Sequence, residues 1–158
     1  MPDPHEPPPD LVARQQIADV LARYCMAIDE YDIDAVAATF TDDVVTDYGP
    51  GRGGRVTGRA AARARIASGQ SRFRRTAHQL GQSLVTIHGD TAEAATYVTA
   101  WHEWDDGRRE ALRLRYLDVL RQVEPGTWLI DERRVEAMGV EGFAGTEWTW
   151  VPRRAPER

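Results

Sequence analysis

The stretch Thr91-Ala92-Glu93-Ala94-Ala95-Thr96-Tyr97-Val98-Thr99-Ala100-Trp101-His102-Glu103-Trp104 decides how this chain is read. It alternates with a period of two, so Thr96, Val98, Ala100 and His102 share one face of a strand. Tyr97, Thr99 and Trp101 share the other. His88-Gly89-Asp90 and Asp105-Asp106-Gly107 flank it as tight turns, and Glu124-Pro125-Gly126 is a third. The same pattern places strands over Arg75–Ile87, Arg109–Gln122 and Trp128–Met138. Four long strands joined by short turns make an antiparallel meander.

Upstream the period changes. Ile17, Val20, Leu21, Tyr24 and Ile28 recur at helical spacing, with Asp10 as the N-cap of a first helix. A second helix, capped near Asp32, carries Ile33, Val36, Ala37 and Phe40 and ends at Thr41-Asp42-Asp43. Val44–Tyr48 reads as a first strand, Gly49–Gly54 as a glycine-rich loop, and Gly58–Gly69 as a short helix. Helices first and a meander afterwards predict an α+β domain, with a curved, mostly antiparallel sheet wrapped as a cone around N-terminal helices. A cone of that kind has a pocket at its open end. The domain is expected over residues 10–152, between a proline-rich disordered leader (1–9) and a polar tail (153–158).

A length of 158 residues suits one domain with a single core. The net charge of −5, with no basic cluster interleaved with aromatics, argues against nucleic acid as a partner. All 20 basic residues are arginine, which excludes a Schiff-base lysine. Cys25, the one cysteine, lies on the apolar helix face and reads as a small core residue. No apolar run reaches membrane-spanning length and no signal segment opens the chain, so a cytoplasmic protein without a membrane partner is expected.

The candidate chemistry lies in Tyr24 and Asp29 at the end of the first helix, Tyr48 after the first strand, and His78 and His102 on neighbouring strands. Taken singly, each has a plain structural reading as a helix-end acid, a core tyrosine or a satisfied core histidine. Asp29 is badly placed for the helix dipole and therefore calls for another partner. His78 alternates with Leu80, Gln82 and Leu84, which predicts that all four point inward. Val98 and Ala100 leave room for a ligand beside His102. Two histidines and an aspartate also raise the possibility of a metal, but no His-x-His or Glu-x-x-His spacing brings ligands together. No phosphate-cradling glycine loop and no Gly-x-Ser-x-Gly elbow is present. The residues thus predict proton transfer without a metal or organic cofactor.

At this point the chain resembles the SnoaL-like branch of the nuclear transport factor 2-like superfamily. The resemblance covers about Ile17 to Val140. It rests on Ile17-Ala18-Asp19-Val20-Leu21-Ala22-Arg23-Tyr24, Ile28-Asp29 with Asp32 and Asp34, Phe40-Thr41-Asp42-Asp43-Val44 and Gly89-Asp90-Thr91-Ala92. Within that branch the site is most similar to the scytalone and bile-acid dehydratases. The resemblance implies catalytic roles for Asp29, Tyr48, His78 and His102, and for Tyr24 five residues before Asp29. It departs on the following strand, where Leu114 and Tyr116 replace small polar side chains, so the substrate is not expected to be scytalone.

The expected activity is elimination or isomerisation beside a carbonyl of a small hydrophobic, polyketide- or steroid-like substrate. His78 moves the proton and Asp29 holds His102; the reverse pairing stays open. Val98, Ala100, Leu114 and Tyr116 would contact the substrate. An aldol-type cyclase, a ketosteroid-type isomerase, and a non-catalytic ligand-binding or assembly module are the alternatives. The outward Tyr97 and Trp101 predict a homo-oligomer, dimer or trimer, while the roles of Trp148 and Trp150 stay open.

Overall fold

The computed structural model describes residues 9–154. The leader to Pro8 and the tail beyond Arg154 lie outside the described residues; Arg153 and Arg154 are exposed and irregular. The elements are α1 (Pro9–Asp29), α2 (Ile33–Ala38), β1 (Phe40–Asp47), a 3₁₀ turn (Pro50–Arg52), β2 (Arg55–Thr57), α3 (Arg59–Gln70), β3 (Phe73–His88), β4 (Thr91–Trp104), β5 (Arg109–Glu124) and β6 (Thr127–Glu141). One six-stranded sheet has the order β2-β1-β6-β5-β4-β3. Among the named strands only β1 and β6 pair in parallel. The α+β architecture is the one the sequence predicts.

The α1 stripe of Ile17, Val20, Leu21, Tyr24 and Ile28 is buried against the sheet, where the helix packs on β3 and β6. Helix α1 begins at Pro9, so Asp10 sits inside the first turn rather than capping it. The helix is closed by paired bonds, Asp32 N–H to Ala27 O (2.9 Å) and Tyr31 N–H to Ile28 O (3.2 Å). That closure needs a left-handed residue, and Tyr31 supplies it at φ 57°. A non-glycine residue there costs about 1–2 kcal/mol. Its hydroxyl is anchored on Ala67 O at 3.1 Å. The stop leaves Asp29 as the last helical residue, facing β3.

Two further expectations are corrected. Phe40 and Thr41-Asp42-Asp43 belong to β1, not to the end of the second helix. Phe40 pairs with Ile130, and Ile130 N–H donates to Thr39 O at 2.9 Å, so the sheet captures these residues and the helix stops after Ala38. The inward face of β3 also does not run from His78 through Leu84. A bulge between Leu80 and Ser83 shifts the register, leaving Leu84 76% exposed and Val85 buried. At Gly81 an added Cβ would lie 3.2 Å from Tyr97 Cβ, a tight approach inside this irregular segment.

Candidate active site

The site forms where the end of α1 meets the first half of β3. Asp29 Oδ1 lies 2.6 Å from His78 Nδ1. Asp29 Oδ2 accepts the His78 backbone N–H at 2.7 Å, and Oδ1 also accepts the Thr76 hydroxyl at 2.8 Å. Burial raises the Asp29 carboxyl, but the bonds from His78 and Thr76 outweigh it and hold its pKa below the ordinary 3.8. The His78 side chain is only 4% exposed. With its Nδ1 side turned to a carboxylate, a neutral His78 carries its proton on Nδ1 and leaves Nε2 as a lone-pair base.

His102 does not pair with Asp29; the structure gives that carboxylate to His78. The register explains why. His102 lies opposite Thr76 on β3, two residues along the strand from His78, and the imidazoles meet edge to face at 5.4 Å between centroids. His102 packs on Phe73 (4.4 Å) and Phe143 (5.7 Å), and its Nδ1 is buried with no partner among the described residues. Burial, then the charges of His78 and Arg52, push its pKa from 6.5 to about 3. At neutral pH it is an uncharged imidazole.

Phenols close the opposite side. Tyr24 and Tyr48 share a hydroxyl–hydroxyl bond of 2.8 Å. Tyr116 packs edge-on to Tyr24 at 6.2 Å between centroids. Burial pushes both Tyr24 and Tyr116 well above the ordinary pKa of 10, so both keep their protons. Beneath them lies a residue that the sequence reading missed. Arg133 sits 4.2 Å from the ring centroids of both Tyr24 and Tyr116 and binds Asp118 through two bonds of 2.7 and 2.8 Å. Both side chains of that pair are fully buried. The signal was present: Asp118 shares the inward face of β5 with Leu114, Tyr116 and Leu120, and Arg133 shares that of β6 with Val135.

His78, His102, Tyr24, Tyr48 and Tyr116 line one inner chamber of about 40 Å³, with Ala100, Leu112, Leu114 and Val135 as its apolar wall. That is room for a water or a small reacting group. Asp29 stands behind His78 and does not line the chamber, and Val98 is buried in the core outside it. The chamber adjoins an open cleft of about 570 Å³ through Tyr24, Ile28, Tyr48, Arg52 and Gln70, which line both. Arg52, also missed, comes from the glycine-rich loop. At Gly51 an added Cβ would fall 2.6 Å from Glu147 O, so only glycine lets the loop lie against the C-terminal segment. Trp148 of that segment faces this chain's own chamber, whereas Trp150 is 55% exposed. Among the described residues no group of three or more His, Cys, Asp or Glu is arranged to hold a metal ion.

A base held by a carboxylate, opposite protonated phenols in a mostly apolar chamber, can accept a proton and stabilise an oxyanion. Comparison with known proteins agrees with the fold that carries it. The SnoaL-like domain family matches residues 9–134, and the chain belongs to that family. It is similar to a protein provisionally named scytalone dehydratase from Novosphingobium aromaticivorans, with a TM-score of 0.85 and 22% identity over 92% of this chain and 97% of the other. A second protein of that organism, provisionally named an aromatic ring hydroxylase, is 30% identical over 86% and 95% of the two chains, with a TM-score of 0.77. A LinA-type hexachlorocyclohexane dehydrochlorinase from Novosphingobium barchaimii matches at a TM-score of 0.74 and 15% identity, covering 91% and 97%. No sequence among curated proteins matches this one. Among the described residues no helix is long and apolar enough to cross a membrane.

Proposed function

We propose that this protein is a cofactor-independent lyase or isomerase of the dehydratase type, acting beside a carbonyl of a small hydrophobic substrate. The observation that carries the reading is the 2.6 Å contact between Asp29 and His78 at the wall of a phenol-lined chamber. His78 Nε2 removes the proton alpha to the carbonyl. Asp29 fixes the ring and stabilises the imidazolium that forms. The Tyr24–Tyr48 pair donates a hydrogen bond to the enolate oxygen, and the charge of Arg133 behind the Tyr24 ring favours negative charge there. The imidazolium at His78 then returns its proton to a departing hydroxyl or to another carbon. Neutral His102 contributes shape and hydrogen bonding beside the reacting carbon. Ala100, Leu114 and Tyr116 contact the substrate.

A second reading, isomerisation or aldol-type cyclisation, is favoured by one observation. With its pKa near 3, His102 is no second imidazolium acid, so loss of water would draw on His78 alone. Incubation with a panel of β-hydroxy ketones and polyketide-like ketones, followed by mass spectrometry, separates the two, since dehydration loses one water and the alternatives conserve mass. Turnover that survives His78→Ala on any substrate so identified contradicts both.

The proposal includes a homo-oligomer, dimer or trimer, built on the outer face of the sheet around Tyr97, which is 54% exposed.

A further inference from the structure

The outer cleft is unlike the chamber it serves. Arg52, Arg65, Arg72 and Arg108 line it, against one carboxylate, Glu110. The whole chain carries a net charge of −5, so this positive lining is local. The four guanidinium groups are not equally committed. Arg65 donates to Gly54 O and to Thr46 Oγ1 (2.7 Å for the latter) and lies over the Tyr48 ring. Arg108 is engaged with Asp106 at 2.7 Å. Arg52 and Arg72 have no side-chain hydrogen bond or ion pair among the described residues. Arg52 is nonetheless held in place, 4.9 Å from the ring centroids of both Phe143 and Trp148.

Such an arrangement is costly without a counter-charge. Burial, then the neighbouring charge of Arg72, lowers the Arg52 pKa from 12.5 to about 10, although the field of Glu110 works the other way. Glu110 comes no closer than that field: among the described residues its Oε2 is buried without a partner and no bond joins it to Arg52. Two uncommitted guanidiniums beside Phe143 and Trp104 form a wall with anion-binding donors and an apolar floor. Arg52 also lines the inner chamber, so a group bound there extends toward His78.

We infer that the outer cleft receives an oxyanion, a carboxylate or a phosphate ester, carried at the far end of a hydrophobic substrate, with Arg52 and Arg72 as its donors. The planar forks of the guanidiniums suit either oxyanion. The cleft volume of about 570 Å³ lies in the range of small-molecule sites. This deepens the proposed function and rests on its view that the reacting carbon sits in the chamber.

The test is calorimetric titration of the full chain with three probes of one aromatic skeleton: naphthoate, naphthyl phosphate and the neutral ketone acetonaphthone. At least one anion should bind about 10- to 100-fold more tightly than the ketone, as charge-assisted bonds imply. The tighter anion identifies the source of the oxyanion. In the Arg52→Gln/Arg72→Gln double variant the ratio should fall to about one, and Arg52→Lys should keep part of it. Circular dichroism checks folding. Because Arg52 packs on two rings, Arg72→Gln alone, at an exposed position, serves if the double variant unfolds; it should lower the ratio severalfold. Equal affinity for all probes, binding of none, or an anion preference untouched by the glutamine variants overturns the inference. The anion preference should persist in His78→Ala, whereas the proposed chemistry fails if that variant keeps its turnover. The two claims therefore fall separately.

Discussion

Two carboxylate–base pairs lie against the residues of the inner chamber, and under the proposed function their difference separates chemistry from support. Asp29–His78 bridges a helix end and a strand, with the carboxylate 26% exposed and the imidazole against a chamber. Asp118–Arg133 bridges two strands, is 0% exposed on both sides, and is capped by tyrosine rings. An imidazole can change its charge near neutral pH, whereas a guanidinium cannot. In the proposed function the open pair takes up a proton and returns it. The sealed pair is neutral as a whole, never needs solvent access, and keeps the Arg133 guanidinium packed on the rings of Tyr24 and Tyr116.

The largest effect should come from the open pair. His78→Ala and Asp29→Asn should each lower turnover by about two to four orders of magnitude while leaving circular dichroism intact. The sealed pair should break in the opposite sense, through folding. Arg133→Met strands a buried carboxylate and should cost about 3–5 kcal/mol in urea unfolding, whereas Arg133→Met with Asp118→Leu should recover much of that loss. If the single variant unfolds no more easily than wild type, the pair is not the buried support described above. Between them, Tyr24→Phe removes one donor to the oxyanion and should lower kcat about 10²- to 10³-fold with little change in stability.

A smaller effect concerns pH. His102 has a depressed pKa in the fold, so the unfolded chain binds the extra proton between pH 6.5 and about 3. Its contribution to stability is complete above pH 6.5 and declines as pH falls toward 3, by at most about 1.4 kcal/mol per pH unit. His102→Asn should flatten that part of the stability profile; an unchanged slope would mean the ring is not desolvated. Asp29 has the sign of an ordinary paired acid: its contribution is present above pH 4 and lost as pH falls through its lowered pKa. The smallest effect is at the surface. Tyr97→Arg on the outer sheet face should shift the proposed oligomer toward monomer in sedimentation velocity without altering turnover per site.

The open pair was half legible in the sequence. An acid at the wrong end of a helix dipole announced that Asp29 had a distant partner, and alternation on β4 correctly turned His102 inward. Which imidazole the acid reaches was not legible, because it depends on the Tyr31 turn and on strand register, and both are tertiary outcomes. The same limit explains Phe40, where pairing with Ile130 overrides a helical stripe, and Leu84, where one bulge reverses the alternation. The sealed pair left a fainter mark: opposite charges on inward faces of neighbouring strands cancel only once the register Asp118↔Arg133 is known. Arg52 left none, since an arginine among glycines carries no period, and its aromatic seat comes from the far end of the chain.

Long-range proton–nitrogen NMR of the histidine side chains at neutral pH is the decisive measurement on the Asp29–His78 pair, because it reads which nitrogen of His78 holds the proton. A proton on Nδ1 is expected, with a free Nε2 whose signal moves when acetonaphthone is added, and with that tautomer preference lost in Asp29→Asn. A proton resting on Nε2, or a His78 signal indifferent to both the ketone and the variant, would contradict it.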